Sequence, residues 1–197
     1  MPIPLGILAA AGASQAPAGA FVLLETALVS GSSTTVVEFQ NLTTKYAATY
    51  QHLQVRVVGR SAQTGSNLRG MGVRLNGISG TSYAWHILEG QGTTNPQSFA
   101  ASSQGNGYIG HLSAAGAGAD IFGASVIDIL DPFETTKNTT LRGLSGATSS
   151  GESRVRLYST LFNNTASVTT LSFYGEDLSS AFVAGSRFSL YGLKASA

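Results

Sequence analysis

The sequence predicts an all-β protein, a jelly-roll-like antiparallel β-sandwich, and three observations carry that prediction. The first is residues 51–60, Gln51-His52-Leu53-Gln54-Val55-Arg56-Val57-Val58-Gly59-Arg60. Leu53, Val55 and Val57 fall on one side of an extended chain, and His52, Gln54, Arg56 and Val58 on the other. This is the period of a strand with one dry face and one wetter face. The second is the recurrence of short runs of this kind along the chain, divided by Gly, Asn and Ser turn residues. The third is the lack of coiled-coil heptads or a solenoid repeat.

Residues 21–29 and 34–39 read as the first two strands, joined by Gly31-Ser32-Ser33. Residues 41–50 read as a connection into the strand at 51–60. Residues 70–75 form a further strand, ended by Asn76-Gly77. That dipeptide accepts positive φ at both central positions of a type I′ turn and predicts a hairpin. Residues 82–88 are an aromatic-rich strand in which Tyr83, Trp85 and Ile87 share a face. The polar, glycine-rich stretch 90–107 reads as a connecting segment. Residues 108–112 read as a short strand, and the Ala/Gly-rich 113–120 as a loop.

Residues 124–130 give a dense apolar strand. Asp131-Pro132-Phe133-Glu134 places Asp at the N-cap, Pro at N1 and Glu at N3, and so predicts one helical turn. Strands follow at 141–145, 154–159, 167–173 and 186–192, with Asn163-Asn164 as a turn. The total is nine to eleven strands. At 197 residues the chain has room for one such body, residues 21–197, behind an N-terminal arm and linker, residues 1–20.

The arm begins Met1-Pro2-Ile3-Pro4-Leu5-Gly6-Ile7-Leu8, and the first Lys or Arg is Lys45. A secretory signal needs a basic stretch ahead of its apolar run, and none is present. The run is shorter than the ~20 apolar residues that span a bilayer, so no membrane span is expected. Ser14 to Ala20, with Pro17, reads as a linker. Pro2, Ile3, Pro4, Leu5, Ile7 and Leu8 are the candidate anchoring residues, to be buried against another protein.

Composition narrows the functional classes. Charged residues make up 11% of the chain, against about 25% in ordinary soluble domains. Such a surface suits a protein built into a larger assembly. The net charge of +1 predicts neither a nucleic-acid partner nor a charged membrane surface. There is no cysteine, which excludes disulfides and thiolate metal sites.

Motifs for chemistry are sparse. His52, His86 and His111 have no metal-ligand spacing, and no cofactor is expected. Asp128, Asp131 and Glu134 are the only candidate carboxylates for glycoside hydrolysis, which needs a pair about 5–10 Å apart. Asp131 and Glu134 are already assigned to the helix cap. No nucleophile elbow, P-loop or dinucleotide fingerprint occurs. Tyr83, Trp85 and His86 form the best candidate patch for stacking on sugar rings or anchoring a subunit contact. His52 and Arg56 on the wetter face of 51–60 are further candidates for subunit contact. Arg154 and Arg156 are expected to point outward in the same way.

Several short stretches carry a resemblance: Tyr50-Gln51-His52-Leu53-Gln54-Val55-Arg56, Leu75-Asn76-Gly77, Ser125-Val126-Ile127-Asp128-Ile129-Leu130-Asp131, Thr136-Lys137-Asn138-Thr139-Thr140, and Gly185-Ser186-Arg187-Phe188-Ser189-Leu190-Tyr191-Gly192-Leu193-Lys194-Ala195. With the opening Met1-Pro2-Ile3-Pro4-Leu5-Gly6-Ile7-Leu8, they resemble virion structural proteins of marine tailed bacteriophages, of the jelly-roll fibre or decoration type. The resemblance implies a non-enzymatic protein located in the virion. It implies a tail- or neck-fibre appendage, or alternatively a capsid decoration; a glycan depolymerase is the least favoured reading. The partners it implies are portal, neck, tail or capsid subunits, further copies of the chain in a homo-oligomer, most often a trimer, and a host-surface glycan.

Overall fold

The computed structural model describes residues 21–149 and 151–194. These residues form twelve strands: β1 (Phe21–Leu28), β2 (Val36–Gln40), β3 (His52–Gly59), β4 (Leu68–Leu75), β5 (Tyr83–Gln91), β6 (Gln97–Gln104), β7 (Gly107–Ser113), β8 (Gly123–Leu130), β9 (Thr139–Thr148), β10 (Ser153–Phe162), β11 (Thr170–Gly175) and β12 (Arg187–Leu193). One short helix, α1 (Leu42–Tyr46), and a 3₁₀ turn at Ala115–Ala117 complete the described elements. The candidate anchoring residues Pro2, Ile3, Pro4, Leu5, Ile7 and Leu8 lie outside the described residues.

The strands form two antiparallel sheets. The larger has the order β1-β12-β3-β8-β9-β10-β5-β6 and the smaller β2-β11-β4-β7. Eight of these strands trace a jelly roll: β1-β12-β3-β8 faces β2-β11-β4-β7, and the chain passes from sheet to sheet at 1-2-3-4-5, 6-7-8 and 10-11-12. Two hairpins then widen the larger sheet beyond the jelly roll. One is β9–β10, which follows β8 directly; the other is β5–β6, inserted between β4 and β7.

Burial follows the two-residue period. Leu53, Val55 and Val57 of β3 are at most 1% exposed and face Phe39, Val73, Leu75, Leu171 and Phe173 of the smaller sheet in one contiguous core. Phe188 of β12 joins the layers, with ring centroids 5.6 Å from Phe173 and 5.0 Å from Phe182. Each such side chain contributes about 1.5–3 kcal/mol through removal from water.

Four local expectations change. Asn76 and Gly77 do take positive φ, 55° and 65°, and Ile78 N–H closes the turn on Leu75 O at 3.0 Å. The turn does not make a hairpin, because β5 lies in the other sheet. The Asn76 side chain is committed to the start of β11: its Oδ1 accepts from Thr169 N at 2.7 Å and its Nδ2 donates to Ser167 O at 3.0 Å.

Asp131 starts no helical turn. It sits at φ 47°, and Glu134 N–H reaches back to Asp131 O at 3.2 Å in a tight turn. Its carboxylate is taken by Lys137 and by Gln51, so it does not cap. The helix lies instead at Leu42–Tyr46, too short to show a period, with Leu42 fully buried. Finally, the stretch 90–107 contains β6. This strand is exposed on both faces, so no alternation of apolar and polar residues marks it.

Candidate functional site

Strand register places one residue of each strand of the larger sheet in a line on its outer face. Thr26, Ser189, Arg56, Val126, Leu144, Leu157, Leu88 and Ser98 stand opposite one another in turn, from β1 to β6. A parallel line runs through Val58, Ala124, Gly146, Val155 and Gly90. Between them, Val58, Leu88, Val126, Leu144, Val155 and Leu157 are 41% exposed or more, forming a band of large aliphatic side chains open to solvent. Ala124 and Gly146 leave a shallow depression of about 290 Å³ in this band, walled by Val126, Leu144 and Val155. An exposed aliphatic cluster of this kind is a candidate contact surface.

The next line on the same face is polar: Gln54, Asp128, Arg142, Ser159 and His86. Asp128 accepts from Gln54 at 2.8 Å and from Arg142 at 2.9 Å. Arg56 donates to Gln54 Oε1 at 3.0 Å, and its guanidinium lies 4.6 Å from the Tyr191 ring centre and 5.4 Å from that of Phe21. His52, half-buried, accepts at Nδ1 from Asp131 N–H at 3.0 Å. His52 and Arg56 therefore stand on the outer face as the sequence indicates, each already engaged within the chain.

Tyr83, Trp85 and His86 do not form one patch. Tyr83 is 1% exposed, stacks on Phe162 at 5.1 Å, accepts from Leu75 N–H and donates to Ile78 O. Burial pushes its phenol up to about 12. Trp85 points the same way and lies 5.0 Å from Tyr108. His86 is exposed on the opposite face. The three are neighbours in sequence, and the strand separates them.

The inner face of the widened sheet holds a charged cluster that sequence reasoning missed. Arg154 and Arg156 point inward, not outward, and both bind Glu89, which is 3% exposed; Arg154 is at 3.3 Å. Beside them His111 is 4% exposed, and neither ring nitrogen has a partner among the described residues. Burial, and then the two guanidiniums, push His111 down to about 3, so it is neutral near pH 7. Tyr158, beneath them, donates to Gly110 O at 3.0 Å. The signal available in sequence was the strict alternation Arg154-Val155-Arg156-Leu157-Tyr158, in which the Arg residues share a face with a large aromatic.

Asp131 and Glu134 border a separate surface depression of about 260 Å³ together with residues 47–51 and Phe133. Among the described residues no cluster of three or more His, Asp or Glu side chains could hold a metal ion. No described helix is long and apolar enough to cross a membrane. The architecture is thus that of an all-β sandwich with an apolar band on the outer face of its larger sheet. No protein-family model, curated protein or solved structure matches the chain.

Proposed function

We propose that this chain is a non-enzymatic structural component of a tailed-phage virion, a tail- or neck-fibre-type appendage protein held in place by its N-terminal arm. The observation that carries an assembly role is the aliphatic band Val58, Val126, Leu144, Val155, Leu157 and Leu88 on the larger sheet. In a protein with only 11% charged residues, that band is a surface for other protein rather than for water. The phage setting comes from the resemblance of residues 50–56, 125–131 and 185–195 to virion proteins. Ile3, Leu5, Ile7 and Leu8 supply the apolar anchor. Their burial in a neighbouring groove contributes about 1.5–3 kcal/mol each before ordering costs.

Contact between the outer end of the body and a host-surface glycan belongs to the appendage reading. The second reading, a capsid decoration, draws on the same aliphatic band, with shell subunits as the surface covered. A reconstruction of particles carrying the protein separates the two. Density at the tail or neck supports the appendage, whereas density on the shell lattice overturns it in favour of decoration. Absence of the protein from purified particles overturns both. Release of reducing ends from host polysaccharide by the purified protein overturns the non-enzymatic reading.

A further inference from the structure

The four sheet edges are not alike. On β1 the edge is interrupted by a bulge between Leu23 and Glu25, and Glu25 pairs with Lys45 at 2.9 Å. On β2 it is five residues long and carries Glu38. The free side of β7 is sealed by the larger sheet: Tyr158 donates to Gly110 O, Thr160 to Tyr108 O, and His111 N–H to Ser145 Oγ. These are the usual protections against edge pairing.

The edge formed by β6 has none of them over its first five residues. Gln97-Ser98-Phe99-Ala100-Ala101 holds no charge and no proline. It pairs with β5 in regular register, from Gln97 opposite Glu89 to Ala101 opposite Trp85. Only beyond Ala101 does the register slip, with Ser103 at φ 56°. Among the described residues nothing pairs its far side. Both faces are open, because β6 overhangs the edge of the smaller sheet, and Phe99 stands 40% exposed on the inward side.

We infer that the β6 edge is a pairing site for β6 of a second copy of this chain, antiparallel about a two-fold axis at Phe99. An uncharged edge needs an extended, uncharged partner, and β6 itself is one. About that axis Phe99 meets Phe99 of the other copy, Ser98 meets Ala100, and Gln97 meets Ala101. No like charges are opposed, and an aromatic cross-strand pair covers the exposed ring. The contact is isologous and consumes the one unprotected edge among the described residues, so it closes at a dimer and does not propagate. It joins two eight-stranded sheets into one continuous sheet and sets the two aliphatic bands side by side. The inference is independent of the virion reading.

The test is sedimentation equilibrium of the full chain. The wild type is expected to be a dimer. Phe99→Lys opposes two lysines at the axis and is expected to be a folded monomer by circular dichroism, since the position is an exposed edge. Phe99→Glu is expected to be monomeric alone and to restore the dimer when mixed with Phe99→Lys. As the chain has no cysteine, Phe99→Cys adds a single thiol, and mild oxidation is expected to link two chains through it. A monomeric wild type, a species other than a dimer, or an assembly that Phe99→Lys leaves unchanged overturns the inference. So does an assembly dissolved by deleting residues 2–13 and not by Phe99→Lys, which assigns the edge to the arm.

Discussion

Glu89 and Arg156 stand directly opposite each other on β5 and β10, and both point into the space between the sheets. The pair sits where the larger sheet extends past the jelly roll, and Arg154 approaches the same Glu89 oxygen at 3.3 Å. With Glu89 3% exposed, Arg156 depends on this carboxylate, whereas Arg154 is also paired with Glu152. Removing one member of a buried pair costs about 3–5 kcal/mol, because the remaining charge is left without a partner. Glu89→Ala is expected to destabilise the protein by that amount in urea unfolding. An unchanged midpoint would mean that Arg156 finds water or another partner once Glu89 is gone.

His111 gives a pH dependence with a definite sign. Its folded value is about 3 against an ordinary 6.5. Between those values the unfolded chain binds a proton that the folded chain does not. Stability is therefore full above about pH 6.5 and falls as pH drops toward 3, with a limiting slope of about 1.4 kcal/mol per pH unit. His111→Gln is expected to flatten this part of the profile, measured by unfolding at pH 7, 6, 5 and 4. Equal slopes in the two proteins would show that His111 titrates normally.

Gly143 lies where β9 passes under β7. A Cβ there would stand 2.5 Å from the Ile109 carbonyl oxygen, which is backbone and cannot swing away. Gly143→Ala is expected to cost about 1–3 kcal/mol through the forced backbone shift. Gly146, three residues on, meets nothing within 4 Å. Gly146→Ala is therefore expected to leave stability almost unchanged by calorimetry, and a comparable loss at both sites would contradict the packing described.

Leu144 and Leu157 separate folding from assembly. They are 55% and 46% exposed and face each other across β9 and β10. Leu144→Lys with Leu157→Glu, which sets opposite charges across the two strands, is expected to change stability by no more than about 1 kcal/mol, since exposed substitutions typically shift it by about 0.5 each. Incorporation into particles is expected to fall sharply. Normal incorporation would remove the aliphatic band from the assembly role.

Deletion of residues 2–13 is expected to leave the thermal midpoint of the body unchanged while abolishing incorporation into particles, read by immunoblot of purified virions. Full incorporation of the truncated chain would refute anchoring by Ile3, Leu5, Ile7 and Leu8.

Much of the fold is legible locally. Residues 51–60 announce both a strand and its buried side, and Leu53, Val55 and Val57 are indeed in the core. The turn dihedrals at Asn76-Gly77 follow from residue type, because Asn and Gly tolerate positive φ. The exceptions share a cause. β6 is hidden because neither of its faces is buried, so burial imposes no pattern. Asp131-Pro132-Phe133-Glu134 resembles a cap, yet the Asp131 carboxylate is claimed by Lys137, a contact no local rule anticipates. Tyr83 and His86 are adjacent in sequence and point to opposite sides of a sheet.

The charged cluster and the aliphatic band are two sides of one strand. The alternation in Arg154-Val155-Arg156-Leu157-Tyr158 is a property of the sequence, because successive side chains of any strand point to opposite faces. Which face is inside is not. In β3 the aliphatic side faces the second sheet. In β10 the arginines and Tyr158 face inward and Val155 and Leu157 face solvent. That choice follows from where the strand lies relative to the edge of the smaller sheet, from Glu89 on the neighbouring strand, and from Gly110 O above Tyr158. The sequence by itself determined most of the strands, β6 excepted, and their period. The tertiary structure decided which side of each strand meets water, because burial belongs to the pairing of sheets and not to any one strand.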